Sequence, residues 1–291
     1  MRDTQTILIT GATSGIGRHL ALHLARAGHR VIATGRNLAA LQSVQAEAAG
    51  SSLHTVLLDV NDRASLAQAV EEVSRLTDGH GLDALVNNAG YGEMAPLMEV
   101  REVEVRAMYE TNVFGLLAVT QAFLPQMVRH GAGRIVNVSS GGGRVTLPLF
   151  GVYNSTKYAV ESLSDAMRME LKPFGIRVVV VEPGATKTEF ANTSVRKMAS
   201  YHRDGSPYAA LYARMDELKA RLEGPAAEPI VVVRAIERAL TASRPGARYI
   251  APFSARVMVA LAAWLPTPIL DWLLTSMFGM TRRRLKLSAA H

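Results

Sequence analysis

Short runs of β-branched and aliphatic residues alternate with longer amphipathic stretches along the whole of this chain. Several short runs, such as Val178-Val179-Val180-Val181, are apolar without a break, which is typical of strands buried on both faces of a parallel sheet. Strands are predicted at 6–10, 30–34, 54–58, 83–87, 134–139, 176–182 and 248–251. Helices are predicted at 15–27, 38–48, 62–77, 101–129, 153–172 and 229–242. This order predicts an α/β fold of the Rossmann type, a doubly wound parallel sheet of about seven strands with helices on both faces.

Composition excludes several kinds of chemistry. The chain has 291 residues, of which 48% are hydrophobic, and no linker or repeat interrupts it, so we predict one domain over 1–291. The absence of cysteine excludes disulfides, thiolate metal sites and cysteine nucleophiles. The eight histidines form no HExxH or His-x-His pattern, so we expect no metal. Basic and acidic residues are interleaved despite the net charge of +7, so we expect no nucleic-acid partner.

A glycine-rich turn follows the first predicted strand and leads into the first predicted helix. Its spacing is Gly-x-x-x-Gly-x-Gly, and it lacks the Gly-Lys-Ser/Thr ending that an ATP-binding P-loop requires. Such a turn lets the backbone approach a pyrophosphate, and the helix N-terminus offers free N–H groups to it. The candidate cofactor-binding residues here are Gly11, Thr13, Ser14, Gly15, Ile16 and Gly17.

The residue after the second predicted strand bears on the choice of cofactor. NAD sites usually have an acidic residue at this point for the ribose 2′-hydroxyl, whereas this chain has Arg36. A guanidinium group can bind a 2′-phosphate with two hydrogen bonds. Arg36 therefore favours NADP (NADPH), with NAD as the alternative if Arg36 is simply a solvated loop residue.

Further motifs follow in a fixed order along the chain. They are Thr10-Gly11-x-x-x-Gly15-x-Gly17, Asp59-Val60, Asn87-Asn88-Ala89-Gly90, Asn112, Ser139-Ser140, Tyr153-x-x-x-Lys157 and Pro183-Gly184. This set resembles the short-chain dehydrogenase/reductase family over about residues 5–190. The length of the chain beyond that range is similar to that of the steroid- and retinol-dehydrogenase-like members. The resemblance implies an oxidoreductase that acts on CH–OH groups.

The resemblance also implies how the cofactor is held. Asp59 would bond the adenine amine with Val60 beside the ring, and Pro183, Gly184 and Thr186 would line the nicotinamide. Thr188 would reach the carboxamide or the phosphates. Asn88, Ala89 and Gly90 would lie along a ribose and brace the central sheet.

Four residues are implied to be catalytic: Asn112, Ser140, Tyr153 and Lys157. Tyr153 and Lys157 are also implied to bind the cofactor, Lys157 at the nicotinamide ribose. Tyr153 and Lys157 are four positions apart and share one helix face, where an ammonium group and a positive nicotinamide ring would lower the pKa of the phenol. The family spacing selects Ser140 rather than Ser139 to bind the substrate oxygen. The backbone of Asn112 would hold a water that relays protons to Lys157. Taken singly, each residue has an ordinary structural explanation, such as packing, capping or a solvated helix face.

The substrate is expected to be a hydrophobic alcohol or carbonyl compound, such as a lipid, steroid, retinoid or ketoacyl-like compound. The loops after the strands supply its site, and they carry Val145, Leu147, Leu149 and Phe150, together with Met94 and Met98. The segment 186–228 is predicted to form a helical lid, broken at 205–207 and 224–225. Arg144 contacts an acidic substrate or is simply exposed. The alternative function is a catalytically silent NAD(P)-binding regulator or scaffold, whose expected mark is a broken catalytic set.

The segment 252–291 is an apolar extension with two tryptophans. Pro266, Pro268 and Asp271 interrupt it, so it is too short to span a bilayer. Two alternatives remain for this segment. It is expected either to pack on the protein, over the cleft or at a subunit contact, or to insert into a membrane surface with its basic residues against anionic lipid. Those basic residues are Arg282, Arg283, Arg284 and Lys286.

Two further expectations concern the location of the protein and its assembly. The first residues lack the pattern of a secretion signal, so we expect a cytoplasmic protein, with membrane association as the alternative. The resemblance implies a homodimer or homotetramer through helices 101–129 and 153–172.

Overall fold

The structure is a computed structural model that describes residues 4–223 and 226–285. Seven strands of the described residues form one sheet in which every neighbouring pair is parallel. The strands are β1 (Thr6–Ile9), β2 (Arg30–Gly35), β3 (Leu53–Leu57), β4 (Ala84–Asn87), β5 (Gly133–Val138), β6 (Ile176–Pro183) and β7 (Arg248–Ala251). Their order in the sheet is β3-β2-β1-β4-β5-β6-β7. The predicted doubly wound sheet is confirmed.

Helices surround the sheet. The first six are α1 (Gly15–Arg26), α2 (Leu38–Glu47), α3 (Arg63–Leu76), α4 (Glu102–Tyr109), α5 (Leu116–His130) and α6 (Gly151–Glu170). The next four are α7 (Glu189–Ala199), α8 (Ala209–Tyr212), α9 (Met215–Glu223) and α10 (Pro229–Thr241). The last three are α11 (Phe253–Trp264), α12 (Thr267–Met277) and α13 (Arg282–Leu285). None of the described helices is long and apolar enough to cross a membrane.

The apolar strands divide their side chains between two cores. Successive residues of a strand point to opposite faces, so Ile7 and Ile9 pack with α1 and α10, whereas Leu8 packs with α3, α5 and α6. A strand covered by helices on both faces needs apolar residues at every position, which explains the unbroken valine run in β6.

The sheet order reverses between β1 and β4, because β2 and β3 lie on one side of β1 and β4 to β7 on the other. Ligands in open parallel sheets bind beside such a reversal, at the carboxyl ends of the strands. The glycine turn after β1, the loop after β4 and the serines after β5 all lie at that edge. The fold therefore gathers most of the predicted site residues at one edge.

The predicted helix 101–129 differs from the structure at its centre. A π-helical turn, Glu110–Gly115, separates α4 from α5 and contains Asn112. Asparagine is locally unfavourable inside an α-helix, and π-turns are frequent at functional sites.

The lid segment is helical, as predicted, and the break at 205–207 lies between α7 and α8. The second predicted break, at 224–225, and Lys286 lie outside the described residues.

Candidate active site

The glycine turn after β1 is tightly packed. The Asn88 side-chain amide donates to the carbonyl oxygens of Thr10 at 3.0 Å and Gly11 at 3.1 Å, tying the loop after β4 to the turn. A Cβ added to Gly17 would lie 2.3 Å from the Gly11 carbonyl oxygen and 2.4 Å from the Asn88 amide nitrogen. Because these contacts are closer than atoms allow, the turn and the first residues of α1 accept only glycine at this position.

The N-terminus of α1 can hold an anion. The N-cap residue is Ser14, whose side chain makes no capping hydrogen bond, and the first turn contains no acidic residue. The N–H groups of that turn are therefore available, with the positive end of the helix dipole behind them. Thr188 lies opposite, because a Cβ added to Gly15 would be 3.7 Å from Thr188 Cβ. Both groups can contribute to a site for an anion such as a pyrophosphate.

The adenosine end of a dinucleotide would meet the residues that follow β2 and β3. Arg36 is exposed after β2 and forms no ion pair within the described part of the chain. Thr13 packs against Gly35, where an added Cβ would lie 2.7 Å from the Thr13 methyl group. Asp59 is partly buried, and its carboxylate accepts from the Asn61 N–H at 3.0 Å. Val60 packs on the π-helical turn at Gly115.

Three of the candidate catalytic residues meet at the ends of β5 and α6. The Ser140 hydroxyl lies beside the Tyr153 phenol and lowers its pKa, and the Ser140 oxygen accepts from the Gly142 N–H at 3.0 Å. Lys157 is buried, its ammonium group donates to the Val138 carbonyl at 3.0 Å, and it lies 5.8 Å from the centre of the Tyr153 ring. Ser139, by contrast, is buried with no hydrogen bond to its hydroxyl from the described residues.

Asn112 joins the loop after β4 to α6. Its amide nitrogen donates to the Tyr91 carbonyl at 2.8 Å and to the Thr156 hydroxyl at 3.0 Å, and its amide oxygen accepts from the Tyr91 N–H at 3.0 Å. A Cβ added to Gly90 would lie 3.0 Å from that oxygen and 3.6 Å from the Lys157 nitrogen. Gly90 therefore lies close to both the Asn112 side chain and the Lys157 ammonium group.

The surrounding protein shifts the pKa values of Tyr153 and Lys157 in directions that their spacing in the sequence does not predict. Burial raises the pKa of Tyr153 to about 12, although the hydrogen bond from Ser140 lowers it. Burial lowers the pKa of Lys157 to about 8, against the opposing effect of the Glu161 carboxylate. The expectation of a lowered phenol pKa is therefore wrong for the polypeptide itself. Desolvation of the phenol outweighs the opposing effect of Ser140 on this pKa.

The end of β6 leads into the lid. Gly184 donates its N–H to the Ala251 carbonyl at 2.8 Å and packs against Ala255 of α11, and Thr186 donates its hydroxyl to the Gly184 carbonyl at 3.0 Å. Thr188 caps α7 by accepting from the Phe190 N–H at 3.4 Å. Pro183 is buried as the last residue of β6.

Aromatic rings flank Tyr153. The ring of Phe150 lies 6.2 Å from that of Tyr153, and the ring of Phe190, which sequence reasoning did not single out, lies 5.3 Å from it. Met94 is fully buried in the cluster beneath the lid, together with Leu149. Met98 is 77% exposed, so it does not share this apolar environment as the sequence suggested. Val145 is buried, and Leu147 packs against the same cluster as Met94.

Three contacts fasten α7 and the residues after it to the loop after β4. The Ser194 hydroxyl donates to the Gly92 carbonyl at 2.7 Å, and the Tyr201 hydroxyl donates to the Glu93 carboxylate at 2.8 Å. Lys197 forms an ion pair with the same carboxylate at 3.2 Å. The segment therefore lies closed against the loop beside Tyr153.

A buried ion network lies behind Lys157. Arg248 Nε is 3.0 Å from a Glu161 oxygen and 3.3 Å from a Glu182 oxygen, and Arg144 is 3.3 Å from that same Glu182 oxygen. Burial raises the pKa of Glu182, as does Glu161, while Arg144 and Arg248 lower it. Arg144 is exposed, which confirms one of the two sequence-based alternatives, and it is also paired with Glu182.

Comparison with known proteins places the chain among relatives of one family. The family model described as short chain dehydrogenase matches residues 5–199. Human retinol dehydrogenase 5 is 34% identical over 94% of this chain and 91% of its own length. The NADPH-dependent 3-dehydrocapnine reductase of Ornithobacterium rhinotracheale is 30% identical over 91% of this chain and 94% of its own. A short-chain dehydrogenase structure from Streptomyces avermitilis has a TM-score of 0.77 and 30% identity, covering 97% of this chain and 99% of its own.

Proposed function

Because the chain belongs to the short-chain dehydrogenase family and is an oxidoreductase of that family, we propose that it interconverts a hydrophobic alcohol and its carbonyl compound with NADP(H). The observation that carries this proposal is that the ammonium group of the buried Lys157 lies 5.8 Å from the centre of the Tyr153 ring, with Ser140 beside the phenol. The glycine turn, which is the candidate site for the cofactor pyrophosphate, lies at the same edge of the sheet.

Each residue of the site has a task in carbonyl reduction. A bound nicotinamide cofactor supplies the hydride. The Ser140 hydroxyl and the Tyr153 phenol hold the substrate oxygen, and the phenol gives that oxygen its proton. Lys157 places a positive charge beside the phenol and holds the nicotinamide ribose. Asn112 fixes the loop that faces Lys157, and we propose that its backbone holds the water that returns protons to Lys157.

The cofactor site is proposed to use the remaining residues in the positions described above. Gly11, Thr13, Ser14, Gly15, Ile16 and Gly17 would hold the pyrophosphate with Thr188, and Asp59 and Val60 would hold the adenine. Asn88, Ala89 and Gly90 would lie along the ribose, and Pro183, Gly184 and Thr186 would line the nicotinamide. The free N–H groups of α1 support the assignment of the pyrophosphate site. The hydrogen bonds of Asn88 to Thr10 and Gly11 support the assignment of Asn88 to the cofactor site, because they hold it beside the glycine turn.

Arg36 is proposed to select NADP(H) by binding the 2′-phosphate. The Arg36→Glu variant is expected to lose NADPH efficiency and to gain in relative use of NADH, shifting the ratio of the two kcat/KM values by about 10²-fold. The measurement is steady-state kinetics with each cofactor. Arg129→Glu is the matched control, because Arg129 is also exposed but lies in the last turn of α5, before the amino end of β5 rather than after the carboxyl end of β2. An unchanged ratio in Arg36→Glu would rule out this role.

The substrate is proposed to be apolar because Phe150 and Phe190 flank the phenol and Met94 lies in the apolar cluster beneath the lid. Retinol, in the name of the human relative, is an alcohol of this type. The test is NADPH oxidation with a series of methyl ketones of increasing chain length. We expect kcat/KM to rise with chain length. Efficiency that falls or stays constant along the series would contradict an apolar site.

The second candidate function is a regulator that binds NAD(P) without turnover. The intact set of Ser140, Tyr153 and Lys157 favours the enzyme. Tight NADPH binding with no oxidation of any ketone or alcohol in the series would favour the regulator instead.

The pH dependence should differ between the two directions of the reaction. The Lys157 ammonium is present below its pKa of about 8 and is lost above it, while the phenol, with a pKa of about 12, keeps its proton throughout. We therefore expect kcat/KM for ketone reduction to fall as the pH rises through about 8. Alcohol oxidation needs the phenolate and should accelerate with pH. The measurement is a pH profile in both directions, and a reduction profile that stays flat past this pH would contradict the assignment.

The chain is proposed to act as one domain over 1–291, with 186–228 as its lid and 252–291 as an apolar extension. The contacts of Ser194 and Tyr201 with the loop after β4 support the lid assignment.

We further propose a homodimer or homotetramer through α4 to α6. Phe114, Tyr158 and Met169 are exposed apolar side chains on that side of the sheet. Phe114→Glu is expected to lower the sedimentation coefficient to that of the monomer. Wild-type protein that already sediments as a monomer would contradict this assembly.

A further inference from the structure

The last helices expose an apolar surface that the proposed chemistry does not use. Trp264 is 88% exposed and Trp272 66% exposed, although tryptophan is ordinarily among the more buried residues. No residue of α12 is buried. The exposed side chains that define this C-terminal apolar surface are Phe253, Leu261, Trp264, Ile269, Trp272 and Met277.

This surface is anchored to the protein on its inner side. Ala255 and Val259 are buried, and Ala255 packs against Gly184 at the end of β6. Phe278 is buried in the cluster beneath the lid, and Leu285 packs against that cluster. The two helices are therefore tied at one end to the candidate nicotinamide site and at the other to the lid.

Charge around the surface has one predominant sign. From Phe253 to Leu285 the acidic residue is Asp271, against the four arginines Arg256, Arg282, Arg283 and Arg284. Arg256, Arg282 and Arg283 are exposed, and Arg284 lies 4.0 Å from Glu217. Exposed tryptophans beside arginines are typical of segments that lie in the headgroup region of a bilayer.

We propose that the C-terminal apolar surface docks in the plane of an anionic lipid bilayer, with Trp264 and Trp272 inserted and Arg282 and Arg283 against the headgroups. A bilayer offers both apolar depth and the opposite charge. A second copy of this chain would instead bring the same basic surface against itself, since a two-fold contact pairs like patches.

Docking of this kind would place the entrance of the active site at the lipid surface. Met258, in the middle of α11, lies close to the residue after Ser140, since a Cβ added to Gly141 would be 3.5 Å from the end of the Met258 side chain. An apolar substrate could then pass from the bilayer to Tyr153 without crossing water. This last step rests on the proposed function, whereas the docking itself does not.

The test is co-sedimentation of the full chain with vesicles, without cofactor or substrate. The vesicles are phosphatidylcholine alone, or phosphatidylcholine with about a third phosphatidylglycerol. We expect binding to the anionic vesicles, and a decrease in partitioning of about tenfold or more in the double variant Trp264→Ser/Trp272→Ser. Arg282→Glu/Arg283→Glu should weaken binding to anionic vesicles by about fivefold or more for each arginine and leave binding to neutral vesicles unchanged.

Matched measurements separate this proposal from its alternatives. Leu38→Ser, which changes an exposed apolar residue at the start of α2, should bind vesicles like the wild type. Ketone reduction in detergent-free buffer by the tryptophan variant should match the wild type, so a loss of activity there would concern the proposed function and not the docking. Equal vesicle binding by wild type and tryptophan variant would overturn the proposal. So would a tryptophan variant that changes oligomeric state while binding vesicles as before, because the surface would then be a contact between copies.

Discussion

Tyr153→Phe is expected to lower kcat for ketone reduction by about 10²- to 10⁴-fold, the range that a positioned general acid contributes. Phenylalanine keeps the ring between Phe150 and Phe190 but removes the hydroxyl that lies beside Ser140. Because the ring packing survives, the variant should fold and bind NADPH with nearly the affinity of the wild type. The measurement is single-turnover NADPH oxidation beside fluorescence titration of the cofactor.

Tyr158→Phe is the matched control for this experiment. Tyr158 lies on the same helix but is exposed, so loss of its hydroxyl should leave kcat unchanged. If Tyr153→Phe and Tyr158→Phe turn over equally fast, Tyr153 is not the general acid. If Tyr153→Phe loses NADPH binding as well, the tyrosine contributes to the cofactor site rather than to proton transfer.

The fold follows from the sequence because burial on both faces of a strand leaves a readable mark. Ile7, Leu8 and Ile9 are all apolar, and the structure divides them between the two cores. Asn112 also left a signal, since asparagine disfavours an α-helix and here occupies a π-helical turn. Patterns of this kind are local, so a single sequence reveals them.

What the sequence did not reveal depends on contacts between distant segments. Phe190 approaches Tyr153 only because the lid folds back over the loop after β4. The direction of the Tyr153 pKa shift depends on desolvation, which the four-residue spacing to Lys157 does not encode. In the C-terminal extension, composition shows that α11 is apolar, but only packing shows that Ala255 is buried and Trp264 exposed.

The ion network behind Lys157 is likewise tertiary, and it predicts a large effect on stability. Arg248 bonds Glu161, Glu182 and Asp165, and the Glu182 side chain is 0% exposed. Arg248→Met would leave two buried carboxylates without their shared cation, so we expect a loss of about 3–5 kcal/mol in the free energy of unfolding. The measurement is urea denaturation near pH 7.

The pH dependence of this loss gives a second test. Burial already raises the pKa of Glu182, and Arg248 opposes that rise. Without Arg248 this pKa should rise further above its unfolded value, so the folded state would take up protons that the unfolded state does not. The destabilisation should then grow as the pH increases and be smaller in mild acid, where neutral carboxyl groups tolerate burial. Arg177→Met on the neighbouring strand is the control, because Arg177 is exposed and its guanidinium group donates to the Ser243 carbonyl, with no ion pair among the described residues. That change should cost about 1 kcal/mol at every pH. Equal losses in the two variants would mean that Arg248 stabilises the fold no more than a surface arginine does.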